Sequence, residues 1–205
     1  MKKGKFIVFE GVDGSGKSTQ SKLLAEYLAS KGISCRLTRE PTDSPIGALA
    51  RQCMTGRITA DERTISALFA ADRLDHLYND RDGILGLIDR GISVISDRYY
   101  FSSYAYHGVH LDMKWVIETN RLSAEVLRPD INIYLDIEPD KAIMRLGERG
   151  SLERYEKLDN IKKVRDKYFE AFELLKDSEN VVVIKSLENY LETAESVKKA
   201  VEGLF

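Results

Sequence analysis

Eight residues near the start of the chain have the types and spacing to hold a polyphosphate. Gly11-Val12-Asp13-Gly14-Ser15-Gly16-Lys17-Ser18 fits G-x-x-x-x-G-K-[ST] without deviation. The glycines let the backbone curl until its N–H groups point inward at phosphate oxygens. The helix expected after the loop adds the positive end of its dipole. Lys17 reaches the β- and γ-phosphates, and the Ser18 hydroxyl is a ligand for Mg²⁺. A dinucleotide-binding G-x-G-x-x-G would need its last glycine where Thr19 stands, which removes that alternative. The expected triphosphate-binding set is Gly11, Gly14, Ser15, Gly16, Lys17, Ser18 and Thr19.

Triphosphate binding does not choose among a GTPase, a motor and a kinase. No Asn-Lys-x-Asp motif for reading guanine is present, and a DNA-translocating ATPase is usually larger. A small-molecule kinase needs an acceptor site and a basic lid. Arg39 ends a predicted strand beside the expected cleft, where a guanidinium forks onto a phosphate or pairs on the surface with Glu40. Asp97 ends the apolar run Val94-Ile95-Ser96, where a carboxylate holds Mg²⁺ or its waters or caps the next helix. Phe69 and Arg73 are four apart and share a helix face. On their own, Phe69 reads as core and Arg73 as solvated. Asp13 is not needed to cradle phosphate and repels it unless a cation intervenes.

Taken together, Phe9-Glu10 before the phosphate loop, Thr38-Arg39-Glu40-Pro41, Phe69-Ala70-Ala71-Asp72-Arg73, Asp97-Arg98-Tyr99 and Ser102-Ser103-Tyr104-Ala105-Tyr106 resemble the thymidylate kinases. Pro129 to Arg149, with Tyr134-Leu135-Asp136, is similar to that family too, so the likeness runs along nearly the whole chain. The resemblance implies transfer of the γ-phosphoryl group of Mg-ATP to dTMP, giving dTDP and ADP on the way to dTTP. It places Arg39 and Arg98 on the acceptor phosphate, Phe69 and Arg73 on thymine, Ser103 at the base, Tyr106 against the sugar 2′ position and Asp13 near the sugar and metal. It also implies a homodimer. Three departures stand out: Thr42-Asp43-Ser44 where relatives often carry glycines, the short Ser103, and Lys185-Ser186 where an acidic residue is common.

Phosphoryl transfer spreads negative charge that cations must stabilise. Some thymidylate kinases carry an arginine in the phosphate loop, but the matching position here is Gly14. The segment of about 145–156 resembles the arginine-bearing lid of bacterial-type enzymes. Arg149 is the expected catalytic cation, hinged by Gly147 and Gly150 and supported by Arg145 or Arg154. The expected catalytic set is Lys17, Arg98, Arg149, Asp97 and Asp13, with Ser18 and Asp97 for the metal. The rivals are a kinase of the same architecture with another acceptor and a P-loop regulator with no acceptor.

Positioning these residues requires a particular frame. Strands are predicted at 6–9, 34–38, 92–96, 131–137 and 181–184, with helices at 21–30, 61–78, 115–126 and 141–146 and helical stripes over 161–175 and 191–204. Trp115, Leu122 and Val126 mark one apolar stripe, and Pro41 and Pro45 bracket a loop. Alternating strands and helices predict an α/β P-loop fold. It has a five-stranded parallel sheet covered on both faces, within one domain of 205 residues. Thirty-one Lys and Arg against 33 Asp and Glu give a net charge of −2, against a polyanion coat and so against nucleic-acid partners. Two cysteines make no disulfide framework, and the His107/His110 pair reads as a solvated turn rather than a metal site. With no apolar run near ~20 residues for a membrane span, a cytoplasmic protein is expected.

Overall fold

The computed structural model describes residues 3–147 and 158–205. Among these, five strands form one all-parallel sheet in the order β2-β3-β1-β4-β5. The strands are β1 (Phe6–Glu10), β2 (Cys35–Arg39), β3 (Ser93–Asp97), β4 (Ile131–Asp136) and β5 (Val181–Lys185). The helices between them are α1 (Lys17–Ser30), α2 (Pro45–Met54), α3 (Glu62–Tyr78), α4 (Ile84–Asp89), α5 (Tyr100–Gly108), α6 (Met113–Val126), α7 (Pro139–Gly147), α8 (Leu158–Leu175) and α9 (Tyr190–Val201). No described helix is long and apolar enough to cross a membrane.

Strand β1 is buried along its whole length, as its continuous apolar run requires in the middle of a parallel sheet. Its side chains alternate between two cores. Phe6 and Val8 face a large core with Tyr99, Tyr104, Val116, Tyr134 and Tyr168, under α4, α5, α6 and α8. Ile7 and Phe9 face a smaller one with Leu24 and Leu28 of α1 and Val197 and Val201 of α9. The sheet is therefore covered on both faces, as the strand–helix alternation predicts. Register puts Phe9 and Arg39 both opposite Asp97, so the carboxyl ends of β1, β2 and β3 stand at one level. Ligands of such sheets bind there.

Three helices escaped the sequence reading: α2, α4 and α5. Pro45 does not end a loop but occupies the first turn of α2, where its missing N–H is harmless, and Ser44 caps the helix by accepting from the Gly47 N–H at 3.1 Å. On α6 the predicted stripe is turned around. Trp115 and Leu122 are exposed, whereas Met113, Val116, Asn120 and Ser123 are buried. Both sets have helical spacing, and the buried face carries Asn120, which meets Arg73 of α3, beside the apolar Met113 and Val116. His107 likewise lies buried in α5, not in a solvated turn. Cys53 is buried and Cys35 half-buried, both as free thiols.

Candidate active site

The phosphate loop joins β1 directly to α1, which starts at Lys17, four residues earlier than its apolar pattern suggests. Gly14 has φ of +81°, and a Cβ there would lie 2.6 Å from the Ala142 carbonyl oxygen on α7. Conformation and space both demand glycine. Gly16 opens α1 with no side-chain cap, whereas Ser44, Asp61, Asp112 and Asn189 cap α2, α3, α6 and α9. The first N–H groups of α1 are thus left for an anion. Lys17 is 6% exposed and its Nζ donates to the Gly11 and Val12 carbonyls, both at 3.0 Å. Burial, helped by Arg98, pushes its ammonium down to about 8, against the pull of Asp13, Asp97 and Glu10.

The Ser18 hydroxyl donates to Asp97 Oδ2 at 2.5 Å, so the two expected metal ligands meet across 79 residues of sequence. Asp97 does not cap α5, whose N-cap is Tyr99. A cavity of about 190 Å³ is lined by Asp13, Gly14, Gly16, Lys17, Ser18, Thr19, Arg39, Glu40, Asp97 and Arg98. A larger cleft, about 940 Å³, runs beside it along β2 and shares Ser18, Arg39 and Asp97. No glycine of the phosphate loop lines that cleft, whereas Gly14 and Gly16 line the smaller cavity.

Arg98 is the one non-glycine residue with positive φ among those described, at 79°. That strain aims its side chain into the cavity. Its guanidinium bonds Asp13, donates to Ser102 Oγ at 3.0 Å, and lies 5.0 Å over the Tyr106 ring. The Tyr106 hydroxyl donates to Asp13 Oδ2 at 2.8 Å. Burial pushes the Asp13 carboxyl up, but Arg98, Lys17 and these hydrogen bonds together hold it below the usual carboxylate range. Its mismatch with phosphate is thereby neutralised.

Arg39 is exposed at the rim and pairs with Asp43, at 2.9 and 3.2 Å, rather than with Glu40. Arg73 is not solvated: it is 1% exposed. Its Nε and Nη2 meet Glu40 Oε2 at 2.8 and 2.6 Å, and its Nη1 donates to Ser103 Oγ at 3.2 Å and to the Asn120 side chain. Glu40 also meets His76 Nδ1 at 3.1 Å, and His76 Nε2 meets Thr38 Oγ1 at 2.7 Å. Phe69 is half-buried and edge-on to His107, with ring centroids 5.2 Å apart. Burial, then Arg73 and His110, push the His107 imidazole down to about 3, so it is neutral at ordinary pH.

On α7, Arg145 donates to the Gly14 carbonyl at 3.4 Å, to Ser186 Oγ at 3.0 Å and to the Leu187 carbonyl at 3.0 Å. It links the phosphate loop to the segment after β5. Arg149, Gly150 and Arg154 lie outside the described residues.

A family model described as thymidylate kinase matches residues 9–197. The chain is 39% identical over 194 residues to a probable thymidylate kinase of Pyrococcus horikoshii, covering 91% of this chain and 92% of that one. It is 38% identical to one of Pyrococcus abyssi (91% of each chain) and 37% identical to one of Methanococcus aeolicus (96% and 93%). The chain belongs to the thymidylate kinase family. It is a P-loop kinase, and its α/β sheet is that of the fold.

Within this thymidylate kinase family member, sequence reasoning missed the residues that hold Arg73 and the loop after Arg39 in place. Asn120 hid because an asparagine on an amphipathic helix reads as surface. Asp72, 1% exposed, accepts from the Thr42 N–H at 2.7 Å, the Thr42 hydroxyl and Ser44 Oγ at 3.1 Å, and so ties the loop after Arg39 to α3. Glu40 gave one signal: a carboxylate next to a proline at a strand end.

Proposed function

We propose that this kinase transfers the γ-phosphoryl group of ATP, with Mg²⁺, to dTMP, giving dTDP and ADP as a step toward dTTP. The carrying observation is the pair Asp97–Arg98 at the end of β3. One residue meets the metal-side hydroxyl of Ser18, and the next reaches Asp13 and the acceptor side of the same cavity.

Lys17 and the free N–H groups of α1 bind the donor phosphates. Ser18 and Asp97 offer hard oxygen ligands suited to Mg²⁺. Among the described residues no group of three or more His, Cys, Asp or Glu is placed to hold a metal, which fits an ion shared with phosphate oxygens and water. When bound, Mg²⁺ neutralises charge on the β- and γ-phosphates. Arg98 and Arg39 grip the acceptor phosphate, and Arg39 exchanges Asp43 for it. Arg73, Phe69 and Ser103 form the thymine side, and Tyr106 with Asp13 flanks the sugar. The acceptor phosphate is already anionic, so the residues position and stabilise rather than abstract a proton.

Arg149 supplies the cation for the transferred group. Gly14 has no side chain and no room for one, so no arginine stands at that position of the phosphate loop. The relatives named above are archaeal, so this role rests on Arg149 itself and not on a bacterial type. The exposed Trp115 and Leu122 on α6 suit contact with a second copy in a cytoplasmic homodimer.

A panel of nucleoside monophosphates with coupled ADP detection tests the reading. We expect dTMP to be the fastest acceptor. Fast turnover of dCMP or AMP with dTMP inert would overturn the substrate. ADP release that no monophosphate enhances would overturn the kinase assignment. Arg149→Ala should lower kcat more than acceptor affinity; an unchanged kcat removes it from the mechanism.

A further inference from the structure

Glu10 has no place in the scheme above, yet it is the most deeply committed carboxylate near the cavity. It ends an otherwise apolar strand and is 0% exposed. A buried carboxylate is costly unless its oxygens are filled with donors. Here Oε1 accepts the backbone N–H groups of Tyr99 at 2.9 Å and Ser102 at 3.3 Å. Oε2 accepts the hydroxyls of Ser102 at 2.6 Å and Tyr168 at 2.9 Å. Among the described residues no ion pair reaches it directly.

The Ser102 oxygen also stands 3.0 Å from Arg98 Nη1. A serine hydroxyl has one proton and two acceptor lone pairs. An ionised carboxylate only accepts, so the Ser102 proton must point at Glu10, and a lone pair must then face the Arg98 N–H. Asp13 holds the other arm of the same guanidinium. Tyr168 stands 2.9 Å from the Ser102 hydroxyl and 3.4 Å from the Gly11 carbonyl, and it comes from α8.

We infer that Glu10 is a positioning residue: by fixing the direction of the Ser102 hydroxyl proton, with Tyr168 as the second donor, it sets the Arg98 guanidinium in the acceptor cleft. The inference rests on the reading that Arg98 grips the acceptor phosphate. An amide at position 10 keeps the shape but removes the charge and one acceptor, and its N–H competes with Arg98 for the lone pairs of Ser102.

The test is steady-state kinetics on the full chain with dTMP and ATP each varied. Ser102→Ala and Glu10→Gln should each lower kcat/KM for dTMP by about tenfold or more, as for a lost hydrogen bond to a charged group, with KM for ATP unchanged. The double variant should lose no more than the worse single one, because both break the same relay. Tyr168→Phe keeps the ring and should lose less, in the same direction; if Glu10→Gln does not fold, Ser102→Ala and Tyr168→Phe decide. Arg98→Ala separates the two claims. If it leaves kcat/KM for dTMP unchanged, the reading of Arg98 falls. If it lowers kcat/KM while Ser102→Ala does not, or while the losses of Ser102→Ala and Glu10→Gln multiply, the relay falls.

The pH profile supplies a readout that a merely structural role would not move. Burial pushes the Glu10 carboxyl up, against the Ser102 hydroxyl, Arg98, the Tyr99 N–H and Tyr168, with Lys17, Tyr134 and Tyr104 also facing it. The ratio of wild-type to Glu10→Gln kcat/KM cancels the titration of dTMP itself. That ratio should fall toward one as pH drops and Glu10 takes up its proton. A ratio flat from neutral to acid pH would overturn the proposal.

Discussion

The proposed donor half, at the phosphate loop, and the proposed acceptor half, the cluster of side chains beside it, are built in opposite ways. The donor half is built largely from one stretch, where the Lys17 ammonium bonds carbonyls only six and five residues away, and Asp97 alone reaches it from β3, at Ser18. The acceptor half is made of buried side chains drawn from across the chain. Arg73 reaches Glu40 across 33 residues, Arg98 reaches Asp13 across 85 and Tyr106 reaches Asp13 across 93. A site made of curled backbone is damaged by adding atoms, whereas a site of paired side chains is damaged by removing one partner.

The largest effect expected is on the acceptor half. Glu40→Ala leaves Arg73 buried and unpaired, which should cost about 3–5 kcal/mol of stability. Chemical denaturation measures it, and a loss below about 1 kcal/mol would mean that this half is not held by its buried ions. On the donor half, Lys17→Ala should lower kcat by about 10²–10³, the scale of one lost electrostatic stabiliser. Its melting temperature should hold or rise, because a desolvated ammonium is gone. A protein that melts early would show that Lys17 supports the fold as well.

The halves should also separate by pH. His107 sits in the acceptor half with its imidazole held at about 3 in the folded chain, against 6.5 for an ordinary histidine. The unfolded chain takes up that proton first, so stability is intact above 6.5 and is lost as pH falls toward 3. His107→Asn should remove about 1–3 kcal/mol of the acid sensitivity between pH 7 and 4. An equal loss of unfolding free energy between pH 7 and 4 in variant and wild type, measured by urea denaturation at each pH, would break the comparison. Gly14→Ala tests the added-atom rule: its positive φ and the contact with Ala142 should cost about 1–3 kcal/mol. ATP affinity should weaken, and dTMP affinity should not. The smallest effect belongs to Asp43→Asn at the exposed rim. Freeing Arg39 there should lower KM for dTMP by no more than about threefold, with KM for ATP constant.

The same contrast explains what was legible in advance. The phosphate loop, the five strands and the level of Arg39 and Asp97 follow from local pattern and strand ends. Helix α2 was missed because Ser44-Pro45 was read as loop punctuation rather than as a cap and first turn. The buried face of α6 is hard to read because Asn120, which meets Arg73, and Ser123 stand on it beside Met113 and Val116. The Tyr99 hydroxyl donates to the Leu127 carbonyl at 3.2 Å, just past the end of that helix. The family motifs supplied Arg73 and Ser103, Glu40 gave only its place beside a proline at a strand end, and nothing in the chain showed that Asn120 completes the group.

The sequence by itself determined the triphosphate cradle, since curling a backbone needs only neighbouring glycines and a helix to follow. It also determined the α/β frame, because strand burial is written in continuous apolar runs. Only the tertiary structure decided which charges are paired. Arg73 goes to Glu40 and Arg98 to Asp13, and Glu10 faces hydroxyls rather than a cation. The reason is that burial and partner choice are set by which distant segments the sheet brings to its carboxyl edge, and no local spacing records that.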